Sequence, residues 1–224
     1  MHAFTDLATA AYCPRKLYYR RHEDDAGVPD GVEAVRSIGY RYATLVDADD
    51  ETLAEEPLAV SPTRFRRNLG TARARFDAYA DLAAVADDLP AGDRRRHLTG
   101  REARGVAHKL VGDPPVPALL SAGAPSPEGV WEPQTVRAVA AAKALAYETE
   151  RSVERAFYEY PAHGVVRAVP LTTRRMAAYR RAVRTVESVD GPPPRLDDDA
   201  RCATCEYREQ CGVRTRSLRS LLGL

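Results

Sequence analysis

The sequence predicts one α/β core, with α+β as the other arrangement the pattern allows, and a helical N-terminal half. Three observations carry this. Apolar residues recur at helical spacing over most of residues 5–88. Period-two alternation first appears in 102–111, and beyond it helical and alternating stretches interleave to about residue 189. A chain of 224 residues with 44% hydrophobic content can enclose one sizeable core.

Thr5 or Asp6 caps a helix over 5–21, with Leu7, Ala10, Ala11, Leu17 and Tyr18 as its apolar positions. Gly27, Pro29 and Gly31 interrupt the pattern, and a second helix follows over 31–46. Pro57 and Pro62 frame a short extended piece, Leu58-Ala59-Val60. A third helix spans 63–88 through Phe65, Leu69, Ala72, Phe76, Tyr79 and Leu82, and Pro90-Ala91-Gly92-Asp93 stops it.

Glu102 to Val111 reads as a strand. Val106, His108 and Leu110 share one face; Gly105, Ala107, Lys109 and Val111 share the other, which leaves Lys109 toward solvent. Asp113-Pro114-Pro115 turns the chain into a second strand, Val116–Leu120, which Pro117 keeps from a central ladder position. Pro133 suits the first turn of a helix over 134–149. Val153–Tyr160 and Val165–Leu171 form a hairpin around Ala162-His163-Gly164. Thr172 or Thr173 caps a helix over 173–189 whose stripe is Met176, Tyr179, Val183 and Val186, with Arg174, Arg175, Arg181 and Arg184 off it. Gly191-Pro192-Pro193-Pro194 is a stiff linker to a cysteine-bearing segment and a basic tail. The chain is thus one domain, 1–224, in three parts: helical 1–98, a core over 99–190 and a C-terminal clasp over 191–224.

A net charge of +1 excludes argument from the overall field, but lysine occurs only at Lys16, Lys109 and Lys143. The arginine bias reads either as background composition or as phosphate recognition, which suits the planar guanidinium. Arg15, Lys16, Arg20 and Arg21 beside the first cysteine, and Arg174, Arg181 and Arg184 at helical spacing, are the candidate DNA-contacting cations. Tyr18 and Tyr19 are candidates to stack on unpaired bases, with burial in the core as the plainer alternative. No apolar run approaches the roughly 20 residues of a membrane helix, and Met1–Asp6 has no basic leader region, so a cytoplasmic protein is expected.

The sequence has four cysteines, and structural disulfides are rare in the cytosol. Cys202-Ala203-Thr204-Cys205 is a C-x-x-C followed by Cys211, which leaves a tetrahedral site one ligand short; Cys13 makes four. A metal site shared by Cys13, Cys202, Cys205 and Cys211 is the first expectation, and the spacing does not choose between iron–sulfur and zinc. The plainer readings are a buried Cys13 thiol with the other three binding zinc through an outside ligand, or no metal at all. Redox catalysis by the C-x-x-C lacks a surrounding βαβ pattern.

Tyr12-Cys13-Pro14-Arg15-Lys16-Leu17-Tyr18-Tyr19, together with Cys-x2-Cys-x5-Cys, resembles the CRISPR-associated RecB-like exonuclease family. The resemblance implies a PD-(D/E)XK restriction-endonuclease-like core with a C-terminal iron–sulfur clasp, a [4Fe-4S] cluster on the four cysteines, DNA ends or single strands as substrate, and CRISPR adaptation proteins as partners. It runs in order through most of the chain and leaves 50–98 without a motif. The nuclease motifs depart from the family's pattern. Ala43, four residues after Gly39, stands where the family has histidine; His108 stands for the metal-binding aspartate; Pro117 and Leu119 stand for the glutamate and lysine; Gln134 is kept, but Ala138 replaces the tyrosine. His108 and Gln134 are therefore the remaining candidates at the catalytic position, and magnesium or manganese enters only with a functional nuclease site. Asp113, Glu128 or Glu132 would serve only if the carboxylates had migrated. The expectation is a DNA-binding protein with weakened or lost nuclease activity; an active exonuclease and an interaction scaffold without a DNA role are the alternatives.

Overall fold

The computed structural model describes residues 1–23, 27, 29–79 and 94–212. Within them a mixed six-stranded sheet is built from β1 (His2–Ala3), β2 (Arg94–Thr99), β3 (Ala103–Val111), β4 (Val116–Leu120), β5 (Arg155–Tyr160) and β6 (Val165–Pro170). β3 is the hub. It pairs antiparallel with β2 and β4 and parallel with the short β1. β4 runs parallel to β5, and β5–β6 is the antiparallel hairpin the alternation predicts. The parallel step from β4 to β5 requires a crossover, and α7 (Glu132–Thr149) supplies it. The chain is a mixed α/β fold.

The helix expected over 5–21 is two helices, α1 (Phe4–Tyr12) and α2 (Pro14–Arg20). Cys13 between them is extended, at φ −162° and ψ 116°. The cause is Pro14, whose ring disfavours helical geometry in the residue before it and suits the first turn of the helix after it. The segment 31–46 likewise divides into α3 (Val32–Ile38) and α4 (Tyr42–Val46). An unanticipated turn of helix, α5 (Asp50–Ala54), starts where the Asp49 carboxylate accepts the Thr52 amide at 2.8 Å. α6 (Pro62–Arg75) stops at an extended Phe76, short of the expected end, and Asp77–Tyr79 is a single 3-10 turn. The remainder of that expected helix, with Leu82 and Pro90–Asp93, lies outside the described residues.

β2 was not anticipated. Its sequence, Arg-Arg-Arg-His-Leu-Thr, buries only Leu98, so it offers no alternation to read. Pro117 does not keep β4 at an edge: β4 lies between β3 and β5. Pairing with β5 starts only at Ala118, so the missing N–H of Pro117 falls beyond that ladder. Lys109 does not face solvent either; it is fully buried against Glu159.

Among the described residues the core comprises two apolar clusters. The larger joins α1, α7 and α8 (Thr173–Ser188) to the sheet through Phe4, Leu7, Leu119, Val139, Tyr158 and Tyr179. The alanine-rich stretch Ala138–Ala142 and Ala144 is buried, and small side chains let this helix lie close to its neighbours. The smaller cluster joins α3, α4 and α6 to the sheet through Ile38, Tyr42, Phe65, Leu69, Tyr79 and Phe157. Thr172 caps α8 by accepting the Arg175 amide, and Tyr179, Val183 and Val186 form its buried stripe as the spacing predicts.

Candidate nucleic-acid interface

Because Pro14 turns the chain, α2 reaches the C-terminal segment. Tyr19 stacks on Tyr207 at 5.7 Å and donates its hydroxyl to the Gln210 carbonyl at 3.1 Å. Arg15 donates to the Pro193 carbonyl, and Arg201 on α9 (Asp199–Ala203) donates to the Tyr12 carbonyl, each at 3.0 Å. These contacts join the two ends of the described chain in a clasp. Arg15 and Tyr19 are used within it.

The four cysteines are free thiols, half-buried around one small cavity that Arg15, Arg195, Arg201 and Arg208 also line. Burial pushes the Cys202 thiol up, and the neighbouring Cys211 and Cys13 add to the shift. Among the described residues, however, no group of three or more His, Cys, Asp or Glu side chains is placed to hold a metal ion. This overturns the iron–sulfur and zinc reading of Cys13, Cys202, Cys205 and Cys211. A C-x-x-C spacing brings thiols near each other along the chain, but ligation requires sulfurs about 2.3 Å from a common ion. Here the segments meet through aromatic stacking and arginine–carbonyl bonds.

The same finding covers the nuclease position. His108 is 4% exposed and its Nδ1 accepts the Leu120 amide at 3.0 Å. Burial lowers its pKa to about 2, and the positive fields of Arg137, Arg36, Arg95 and Lys109 act in the same direction. It is a neutral, satisfied core histidine. Pro117 and Leu119 are buried and apolar, and Glu132 is engaged with Arg181 at 3.1 Å.

Beside this position lies a groove of about 730 Å³ between α1, α2, the start of α7 and the C-terminal segment. Its cations are Lys16, Arg20 and Arg137, its aromatic walls are Tyr12, Tyr158 and Tyr207, and Glu23 and Glu206 line it as well. Lys16 pairs with Glu206 at 3.0 Å and lies over the Tyr12 ring. Arg20 donates to the Thr9 hydroxyl at 3.0 Å. Arg137 carries a buried Nε with no hydrogen-bond partner. Gln134 accepts from the Tyr160 hydroxyl and from the Trp131 amide through its carbonyl oxygen.

A second groove, of about 540 Å³, lies between the starts of α7 and α8 and is lined by Arg174, Arg175 and Arg181. Of the cations expected to meet DNA, Lys16 and Arg20 thus share one groove, Arg174 and Arg181 share the other, Arg15 belongs to the clasp, and Arg184 is exposed on α8. Tyr18 packs beside His22, and Tyr19 is taken by Tyr207. Arg137, Tyr158 and Tyr207 escaped the sequence reading. Arg137 had a signal: it interrupts an alanine-rich helix three residues after Gln134.

No protein-family model matches the chain, and no curated protein matches it. Among the described residues no helix is long and apolar enough to cross a membrane.

Proposed function

We propose that this chain is a DNA-binding protein that takes single strands or strand ends in the groove of Lys16, Arg20 and Arg137, without metal-dependent cleavage. We further propose that the β3–β4 hairpin, the α7 crossover and β5 form a PD-(D/E)XK-like core related to the RecB-like proteins associated with CRISPR, acting in the cytoplasm. The observation that carries the reading is Arg137. Arg137 lines a cationic, tyrosine-walled groove next to the position where the family keeps its metal-binding carboxylates, and among the described residues its buried Nε has no hydrogen-bond partner. A planar guanidinium in such a groove suits a phosphate oxygen. Hydrolysis by this fold needs carboxylates for one or two divalent ions, and His108, Pro117 and Leu119 offer none.

The test is anisotropy of a labelled oligonucleotide across a salt series, with a cleavage assay in magnesium and in manganese. Affinity is expected to fall steeply with salt, because each neutralised phosphate releases condensed counterions. Arg137→Ala and Arg20→Ala should each weaken binding, and no cleavage should appear. Salt-independent binding, or binding indifferent to both substitutions, would overturn the groove assignment; cleavage abolished by mutating Asp113 or Glu132 would overturn the non-catalytic reading.

A further inference from the structure

Trp131 is the sole tryptophan of the chain and is 52% exposed. Indole rings belong in cores or interfaces, and an exposed one does little for the fold. This one stands at the N-cap of α7, and its backbone amide is held by the Gln134 side chain at 3.2 Å. Its neighbours divide between the two grooves: Pro133 and Gln134 line the first, Val130 and Glu132 the second. Both grooves carry an excess of positive charge. The first has Lys16, Arg20 and Arg137 against Glu23 and Glu206; the second has Arg174, Arg175 and Arg181 against Glu132.

We infer that the two grooves form one track for single-stranded DNA, with Trp131 as the ridge on which a base stacks as the strand passes between them. This rests on the DNA-binding reading above and extends it to a second site and a path. The occupant follows from charge complementarity and from the exposed ring: arginines on both sides for the phosphates, and a π-face between them for an unpaired base. A duplex keeps its bases stacked and has none to offer an indole in this position. The exposure of Trp131 and the separation of the cationic clusters then have one cause.

The lone tryptophan also makes the test direct. Unlabelled oligothymidylate of about 12 nucleotides, within the range a single-strand groove tracks, is titrated into the full chain while intrinsic fluorescence is read. Affinity is followed in parallel by anisotropy of a labelled strand. The track predicts that the strand quenches tryptophan emission and that duplex of equal length does not. Trp131→Ala should lose about tenfold in affinity, and Trp131→Phe, which keeps a ring, much less. Arg174→Ala/Arg181→Ala should weaken the same binding event as Arg137→Ala. Circular dichroism melts check that the variants fold. A strand that binds by anisotropy without changing tryptophan emission, or that binds Trp131→Ala as it binds the parent, overturns the track and leaves the first groove standing. Equal quenching by duplex, or tighter binding of oligouridylate, overturns single-stranded DNA as the occupant. No binding of any single strand at low salt overturns both readings.

Discussion

The Lys109 ammonium lies 2.8 Å from a Glu159 carboxylate oxygen, and neither side chain is exposed to solvent. The pair ties β3 to β5 on the side of the smaller core. Lys109 also donates to the Gly39 carbonyl at 2.8 Å and sits 4.8 Å from the Tyr42 ring centre, while the Tyr79 hydroxyl donates to the other Glu159 oxygen at 2.6 Å. Burial pulls the lysine pKa down, and Glu159 opposes that shift. The network satisfies the charges of both groups inside an otherwise apolar core.

Breaking one half of such a pair leaves a buried charge without its partner. Glu159→Gln and Lys109→Met are each expected to cost about 3–5 kcal/mol in urea unfolding. The double variant Lys109→Met/Glu159→Leu should recover much of that loss, because no charge is then stranded. A double variant as unstable as the sum of the singles would show that the two residues act independently.

His108 makes the fold sensitive to acid. Its pKa is about 2 in the folded protein against 6.5 ordinarily. Between those values the unfolded chain binds a proton that the native state does not, so stability rises with pH and is lost as pH falls below about 6.5. The slope approaches about 1.4 kcal/mol per pH unit, giving roughly 2 kcal/mol between pH 6.5 and 5. His108→Asn retains an acceptor for the Leu120 amide and should flatten the profile over that window. An unchanged profile would assign the acid sensitivity to other groups.

The clasp should be measurable through its aromatic pair. Tyr19→Ala and Tyr207→Ala are expected to couple by about 0.5–1.5 kcal/mol in a double-mutant cycle. Either variant should also speed proteolysis of the segment after Gly191. Zero coupling, with unchanged cleavage, would mean that the arginine–carbonyl bonds and the Lys16–Glu206 ion pair hold the ends together without the aromatic stack.

Gly105 is required for close packing on β3. A Cβ there would stand 2.9 Å from Phe4 Cβ and closer still to its ring. Gly105→Ala should cost about 1–3 kcal/mol by overpacking, and Phe4→Leu in the same chain should relieve part of it. A neutral Gly105→Ala would show that α1 can shift away from the sheet without cost.

The sequence by itself determined the elements whose signals are local. Alternation placed β3 and the β5–β6 hairpin, the Asp113-Pro114-Pro115 turn marked where β4 begins, Pro133 placed the start of α7, and Thr172 with the stripe of Tyr179, Val183 and Val186 placed α8. It also singled out Arg174, Arg181 and Arg184, because charge at helical spacing is visible in one dimension, and Lys16 and Arg20 by their place beside Cys13. Tertiary structure decided the rest. The strand β2 exists because β3 presents an edge that its polar residues can pair with, a partnership no alternation records. Lys109 is buried because Glu159 stands on a strand reached only through the α7 crossover. The four cysteines line a common cavity, but whether their sulfurs converge on an ion depends on three-dimensional distances that spacing leaves free. The division of the cations between two grooves, with Trp131 between them, is likewise set by how α7 lies against α1 and α8, since residues far apart in sequence become neighbours only when those helices pack.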